Sequence, residues 1–158
     1  MLSVSPLTVI FASTSGHTEY VVDEIIAALS AKGVSATKLR AEQAKTEDLE
    51  AAGPLLFAAS TWNTGNSEGQ LNPHMFALLM ERAKDAKLNG RGVACVALGD
   101  ERYRYRANAA VHLEAFVSSH GGTLLCPTLK IINEPYGQEE TVKTWVGQLF
   151  PKFVIRNS

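Results

Sequence analysis

The feature that most constrains the fold is a repeated alternation of short apolar runs with segments of helical periodicity. Residues 7–12 (LTVIFA) form a continuous apolar run, as expected of a strand covered on both faces, and a helical pattern follows between Tyr20 and Leu29. The same order recurs along the chain. The predicted strands are 7–12, 34–40, 54–59, 92–98 and 123–132, and the predicted helices are 20–29, 72–88, 108–120 and 139–150.

This alternation predicts a doubly wound α/β fold, with a five-stranded parallel sheet, helices on both faces and right-handed crossovers. A chain of 158 residues suits one hydrophobic core, so we expect a single domain over residues 1–150. The tail, 151–158, is either disordered or folded back through apolar residues such as Phe153. In this fold class the ligand-binding loops follow the carboxyl ends of the strands.

Composition narrows the function classes. A formal charge of -1 provides no general attraction to nucleic acid or to an anionic membrane, so we expect neither as a partner. The N-terminal residues lack the pattern of a signal peptide, and no run approaches the ~20 apolar residues that span a bilayer, which predicts a cytoplasmic protein. Cys95 and Cys126 lie in apolar runs without a histidine at ligand spacing, which predicts free thiols and no metal site.

The loop after the first strand, residues 13–18 (STSGHT), places hydroxyl side chains and backbone N–H groups at the start of a helix. Many donors at the positive end of a helix dipole suit a phosphate monoester, and Gly16 lets the backbone approach closely. The alternative is that Ser15 only caps the helix. No G-x-x-x-x-G-K-[ST] motif occurs, and no G-x-G-x-x-G follows this strand, which disfavours ATP, GTP and dinucleotides.

Aromatic residues occur in the loops after the third and fourth strands. Trp62 lies in the Gly- and Asn-rich segment 60–71 (STWNTGNSEGQL), directly after a buried strand, where an indole has little core to fill. The segment 99–108 (GDERYRYRAN) carries Tyr103 and Tyr105. Aromatic side chains from neighbouring strand ends favour a planar ring held between them, although one of them could instead pack in the core. A phosphate below a flat ring describes flavin mononucleotide (FMN).

Three motifs, S-T-S-G-H-T at 13–18, S-T-W at 60–62 and G-D-x-x-Y-x-Y at 99–105, resemble those of the flavodoxins in order and spacing. The resemblance covers nearly the whole chain, and the direct run from Gly122 through the last strand is similar to the short-chain members. It implies the flavodoxin-like strand order 2-1-3-4-5. It also implies a low-potential one-electron carrier, with no catalytic residues of its own, whose non-covalently bound FMN shuttles between semiquinone and hydroquinone.

The resemblance further implies which residues bind FMN. The first loop would hold the phosphate with help from Ser60, and the isoalloxazine would lie between Trp62 and Tyr103. Backbone groups of the third loop would meet its pyrimidine edge. The implied cofactor-binding residues are Ser13, Thr14, Ser15, Gly16, His17, Thr18, Ser60, Thr61, Trp62, Asn63, Thr64, Gly65, Leu98, Gly99, Asp100, Tyr103, Tyr105 and Ala107.

In flavodoxins a peptide in the second loop flips on reduction, so that its carbonyl accepts a hydrogen bond from the flavin N5. The matching peptide in this sequence is Asn63–Thr64, and Thr64–Gly65 is the other candidate. Glycine would flip most easily, whereas asparagine pays some cost in left-handed conformations. The resemblance therefore predicts a semiquinone that is less stabilised than it would be with a glycine in place of Asn63.

Charge is where this sequence departs from the family. Flavodoxins usually surround the flavin with acidic residues, but Arg102, Arg104 and Arg106 place three of the seven arginines in one flavin loop. We hypothesise that these arginines make the hydroquinone potential some tens of millivolts less negative than that of acidic family members. The alternative is that the three arginines simply form a solvated loop. The expected partners are a reductase as electron donor and an oxidoreductase as acceptor. The arginines would face an acidic docking patch, and we expect a monomer.

Other functions fit the sequence less well. The segment 65–69 (GNSEG) matches the G-x-S-x-G pattern of hydrolases, but Ser67 lies well past the third strand and on no strand-to-helix turn. A receiver module needs acidic residues where this chain has Ser13, Thr14 and Ser60. An FMN-dependent NAD(P)H quinone or flavin reductase on the same fold is the remaining alternative, and direct oxidation of NAD(P)H would distinguish it.

Overall fold

The structure is a computed structural model, and it describes residues 2–102 and 106–156. Its elements in chain order are β1 Leu2–Val4, β2 Leu7–Ala12, α1 His17–Ser30, β3 Ala36–Arg40, α2 Thr46–Glu50, β4 Leu55–Thr64, β5 Ser67–Leu71, α3 Pro73–Phe76, β6 Gly92–Gly99, α4 Ala109–Ser119, β7 Thr123–Leu124, β8 Leu129–Ile132, α5 Glu139–Leu149 and β9 Val154–Arg156. A π-helical stretch, Ala77–Arg82, continues α3, and a 3-10 turn, Phe150–Phe153, follows α5.

The main sheet has a parallel core in the order β3-β2-β4-β6, with β7 and β8 both pairing with the free edge of β6. If β7 and β8 are counted together as the fifth strand of the predicted sheet, the observed order corresponds to the predicted order 2-1-3-4-5. The predicted fold class is therefore confirmed. The prediction of an unbroken strand over 123–132 is wrong, because residues 125–128 interrupt it. Pro127 lies in the interruption and has no backbone N–H to donate to a ladder.

Helices cover the sheet on both faces. One core cluster joins the strands to α3, its π-helical continuation and α4, and the other joins them to α1 and α5. Neighbouring strand residues divide between the two clusters, as Ile10 and Phe11 do, because successive side chains point to opposite faces. This explains why the central strands are continuous apolar runs. Within the two described ranges, no helix is long and apolar enough to cross a bilayer.

The segment 60–71, predicted as a loop, is a β-hairpin. Strand β4 continues to Thr64, and β5 returns antiparallel to it. The two turn residues, Gly65 and Asn66, both have φ near 62°. This left-handed backbone matches the two-residue turns whose twist suits a hairpin, and glycine and asparagine are the residues that adopt it most readily.

The helix predicted over 72–88 is shorter than expected. Its start is as predicted, with Pro73 in the first turn and the Asn72 side chain accepting the His74 N–H. The helix then widens into the π-helical stretch, where the Ala83 N–H reaches the Leu78 carbonyl at 2.7 Å, and it ends there.

The two ends of the chain pair with each other. Strand β1 runs antiparallel to β9, and the Ser5 N–H donates to the Phe153 carbonyl at 3.0 Å. Phe153 is buried in the cluster beneath α1 and α5. The tail is therefore folded back on the domain, which decides between the two alternatives left open by the sequence.

Candidate functional site

The loops identified from the sequence meet at one edge of the sheet. Register places Ala12, the last residue of β2, beside Ala59 of β4, and Ser60 of β4 beside Leu98 of β6. Because these strands are parallel, the chain leaves all of them on the same side. The loop 13–18, the base of the hairpin and the loop after Gly99 are thus neighbours.

The loop between β2 and α1 presents backbone N–H groups that no protein acceptor uses. Gly16 has φ 94°, a left-handed conformation that turns the chain into α1. Within the described part of the chain, the N–H groups of Thr14, Ser15, His17 and Thr18 have no hydrogen-bond acceptor. They lie at the N-terminal end of a 14-residue helix, where the dipole favours an anion.

The hydroxyl of Ser13 braces this loop from inside. Its Oγ accepts the N–H of Gly16 at 3.1 Å and that of Glu19 at 3.4 Å. The residue at the N-cap position of α1 is Gly16, which has no side chain to cap the helix, so the first-turn N–H of Glu19 is met by Ser13 instead. Helix capping therefore does not account for Ser15, whose side chain is exposed at the mouth of the loop.

Asn72 joins the first loop to the hairpin. Its side chain is fully buried, and its Nδ2 donates to the Thr14 Oγ1 at 3.0 Å. Its backbone N–H donates to the Ser60 carbonyl at 2.9 Å. The sequence identified Asn72 only as a helix cap. Its contact with Thr14 joins residues 58 positions apart, and no local pattern signals such a contact.

The base of the hairpin is held on both sides. Trp62 is 39% exposed, and its indole Nε1 donates to the Ser60 Oγ at 2.8 Å, which fixes the ring against the strand. The Thr61 Oγ1 donates to the Leu98 carbonyl and accepts the Ala109 N–H, both at 3.0 Å. Thr61 thus ties β4 to the end of β6 and to the start of α4.

The two candidate peptides for the flip, Asn63–Thr64 and Thr64–Gly65, lie at the turn end of the hairpin. Asn63 is in an irregularity of the ladder between the paired residues Trp62 and Thr64. The Thr64 hydroxyl is buried and has no hydrogen-bond partner among the described residues. Gly65 rests on the Phe76 ring, which a side-chain methyl at this position would meet at 3.4 Å. The identity of the flipping peptide stays a prediction.

The loop after β6 folds back over Gly99. A methyl group added at Gly99 would overlap the Arg106 carbonyl oxygen and lie 2.6 Å from the Ala107 nitrogen. Ala107 and Leu98 are buried beside it. Only glycine allows the chain to pass this closely. Residues 103–105 lie outside the described part of the chain, so the roles of Tyr103, Arg104 and Tyr105 stay predictions.

The described charges in this loop form a pair. The Asp100 carboxylate accepts the Arg102 backbone N–H at 2.8 Å and its Nε–H at 2.9 Å. These bonds, led by those from the Arg102 side chain, lower the pKa of Asp100 to about 2. Arg102 therefore does not act as an isolated cation. Arg106 is exposed and has φ 36°, an uncommon conformation for a residue other than glycine.

A fourth loop, residues 133–138 after β8, completes this edge and was missed from the sequence. The Asn133 N–H donates to the Gly99 carbonyl at 2.7 Å, and its Oδ1 accepts the Glu101 N–H at 3.0 Å. The loop therefore supports the loop after β6. Its position after the fifth strand was the available signal, because that strand ends at the same edge as its parallel neighbours.

The same fourth loop reaches the start of α1. Tyr136, 56% exposed, packs edge to face against His17 and Tyr20, with ring centroids 5.5 Å and 4.8 Å apart. The Tyr20 hydroxyl donates to the Glu139 Oε2 at 2.7 Å. This bond raises the pKa of Tyr20 to about 12 and lowers that of Glu139. His17 is thus the residue at which the first and fourth loops meet.

The hydrolase alternative does not fit this arrangement. Ser67 begins β5 as an exposed strand residue next to the hairpin turn, which is not a nucleophile elbow. Among the described residues, no group of three or more His, Cys, Asp or Glu side chains could hold a metal ion. Cys95 and Cys126 are both free.

Comparisons with known proteins agree with this geometry. The family model described as Flavodoxin matches residues 9–145. Probable flavodoxin 2 of Bacillus subtilis is 26% identical and covers 94% of this chain and 96% of its own. Flavodoxin of Nitratidesulfovibrio vulgaris is 28% identical, with 89% and 94% covered. The crystal structure of oxidised Flavodoxin 2 from Bacillus cereus superposes with a TM-score of 0.84 at 24% identity, covering 94% and 99%. The chain therefore belongs to the flavodoxin family, whose members bind FMN and carry electrons.

Proposed function

We propose that this electron carrier binds the phosphate of FMN in the loop 13–18. The proposal rests on one observation: at the start of α1, four backbone N–H groups have no acceptor in the described ranges and lie among side chains that include neither lysine nor arginine. A phosphate offers several acceptor oxygens and a negative charge, which these donors and the helix dipole suit. The hydroxyls of Ser13, Thr14, Ser15 and Thr18 are the side-chain donors nearest to these N–H groups in sequence.

We place the flavin ring between the hairpin and the loop after β6. Trp62 supplies a flat apolar face, and its hydrogen bond to Ser60 keeps that face in a fixed orientation. Tyr103 is the proposed partner on the other side of the ring. Backbone groups of Asp100, Tyr105 and Ala107 are the proposed contacts to the pyrimidine edge of the ring, and Leu98 and Gly99 lie at its floor.

Bound FMN supplies the redox chemistry by accepting and releasing single electrons. The contribution of the chain is to bind and orient the ring, to keep the phosphate anchored and to set the local field. None of these roles requires a group that transfers protons to a substrate. For this reason the tightly braced loops, rather than a reactive side chain, are the functional part of the molecule.

We propose a cytoplasmic monomer that exchanges electrons with a reductase and an oxidoreductase. Two free cysteines suit a reducing compartment. The exposed large apolar residues among those described are spread over three elements and one loop, which supports a monomer; they are Trp62 on β4, Val111 on α4, Leu124 on β7 and Tyr136 in the loop after β8. The docking surface on this chain is the loop containing Arg102, Arg104 and Arg106, which suits an acidic partner.

Absorbance and fluorescence test the cofactor proposal directly. The purified protein should show flavin bands, and the apoprotein should quench the fluorescence of added FMN with an affinity well above that for riboflavin, which lacks the phosphate. Apoprotein that leaves the FMN fluorescence unchanged would contradict the proposal. Equal affinity for the two flavins would contradict the assignment of the phosphate to the loop 13–18.

A further inference from the structure

Asn72 is a fully buried polar residue at the candidate site, and its hydrogen bonds link three elements. Its Oδ1 accepts the His74 N–H at 2.9 Å, and its Nδ2 donates to the Thr14 Oγ1 at 3.0 Å. Its backbone N–H donates to the Ser60 carbonyl. One side chain therefore connects the first turn of α3 with the loop 13–18, while its backbone holds the end of β4.

The direction of these hydrogen bonds follows from His74. A backbone N–H can only donate, so the atom of Asn72 that meets it is the amide oxygen, and the NH2 group faces Thr14. The Thr14 oxygen must then accept. A hydroxyl has one proton to donate, and this bond does not use it. The Thr14 hydroxyl proton thus stays available for a ligand.

We propose that Asn72 is a positioning residue for phosphate binding, because its amide makes the Thr14 hydroxyl a hydrogen-bond donor toward the phosphate of FMN. Thr14 is exposed and can reach a ligand, whereas Asn72 is buried and acts only through it. Polarity matters here because an ionised phosphate accepts hydrogen bonds far more readily than it donates them. The inference rests on the proposed function, since it requires the phosphate to lie in the loop 13–18.

Thr14 variants test the final link. FMN and riboflavin differ only in the phosphate, so the ratio of their dissociation constants, measured by quenching of flavin fluorescence, isolates phosphate binding. Thr14→Val keeps the shape of the side chain and removes the hydroxyl. We expect about tenfold weaker binding of FMN, and a change within about twofold for riboflavin, because a hydrogen bond to a charged acceptor is lost. Thr14→Ser keeps the hydroxyl and should retain the wild-type ratio.

Asn72→Ser tests the positioning role. Serine is a good N-cap residue, so α3 keeps its start, but its side chain is too short to reach Thr14 as well. We expect this variant to lose about as much FMN affinity as Thr14→Val, again with little change for riboflavin. In the Thr14→Val background, Asn72→Ser should cause no further loss, because both changes remove the same donor. Thermal unfolding of each apoprotein reports whether the fold is kept.

Three results would overturn the inference: an unchanged ratio in Thr14→Val, a parallel loss of FMN and riboflavin binding in Asn72→Ser, or additive effects in the double variant. If Asn72→Ser does not fold, the comparison of Thr14→Val with Thr14→Ser still decides whether the hydroxyl donates. Wild-type protein that binds both flavins equally would instead refute the phosphate assignment. A wild-type preference for FMN that all variants retain would refute the roles of both Thr14 and Asn72 and would leave the phosphate assignment unaffected.

Discussion

The two sides of the candidate site treat charge in opposite ways. The loop 13–18 contains no acidic residue, lysine or arginine, and four of its backbone N–H groups have no acceptor among the described residues. In the loop after β6, Asp100 and Arg102 carry full charges but pair with each other. The first arrangement suits binding of an anion. N–H groups at the surface are hydrated when no ligand is bound, so leaving them without a protein acceptor costs little folding free energy. The second cancels most of the field of this one pair beside the proposed ring position. Under the proposed function, binding strength and redox tuning would be properties of different loops.

The strongest test of this comparison is to place a negative charge in the loop 13–18. We expect Ser15→Asp to weaken FMN binding by about 100-fold, because a carboxylate within several ångströms of a phosphate costs about 3 kcal/mol at an intermediate dielectric constant. Riboflavin binding should change far less. Ser15→Asn is the matched neutral control, and fluorescence quenching measures all four affinities. Similar losses in the two variants would mean that shape, and not charge, governs this loop.

The loop after β6 should fail for a steric reason instead. Gly99→Ala would force the backbone at Arg106 and Ala107 to move, and we expect it to lower the free energy of unfolding by about 1 to 3 kcal/mol. Gly147→Ala is the control, since a methyl there meets nothing within 4 Å. A helix-interior change of this kind should stabilise the protein by about 0.5 to 1 kcal/mol. Urea denaturation measures both, and unchanged stability in Gly99→Ala would show that this loop does not need the close passage.

The parts of this architecture that follow from local patterns were predicted correctly from the sequence. The central strands are recognisable because a strand buried on both faces is apolar throughout. The first helix was recognised from its periodicity, although α1 starts at His17 and not at the predicted Tyr20. The hairpin was missed because β5 (SEGQL) is short and polar. The Gly65-Asn66 pair did indicate a two-residue hairpin turn, because both residues readily adopt the left-handed backbone that such a turn needs.

The supporting contacts could not be predicted, because they join residues distant in sequence. The bond from Asn72 to Thr14 and the packing of Tyr136 on His17 depend on how two loops meet after the sheet has formed. The same holds for the closure of the loop after β6 over Gly99, which depends on a backbone path that no propensity encodes. The residue types around a site can thus be predicted from the sequence, whereas the directions of the hydrogen bonds that those residues form cannot.

Removing one charge of the pair in the loop after β6 should expose its effect on the flavin. We expect Arg102→Gln to lower the hydroquinone potential of bound FMN by ~20 to 40 mV at low salt. The Asp100 carboxylate would then be uncompensated, and the size of the shift assumes about 10 Å between it and the proposed ring position. Arg102→Gln with Asp100→Asn should restore the wild-type value, since the net charge of the loop is then unchanged. Spectroelectrochemical titration measures each potential. A shift in the double variant equal to that of the single one would contradict internal compensation.

The smallest expected effect is on stability in acid. Arg102 lowers the pKa of Asp100 to about 2, below the usual 3.8, so the ionised carboxylate stabilises the folded chain above about pH 4. This contribution is lost as the pH falls from about 4 to about 2. In Arg102→Gln the pKa of Asp100 should return toward 3.8, so stability should vary less over that interval. Lys143→Gln removes the exposed partner of Glu140 and should leave the pKa of Asp100 unchanged. Titration of the Asp100 carboxyl by carbon-13 NMR measures its pKa in each variant. A wild-type pKa near 3.8 would mean that Asp100 and Arg102 form no tight ion pair in solution. The contrast between the loop after β6 and the loop 13–18 would then be lost.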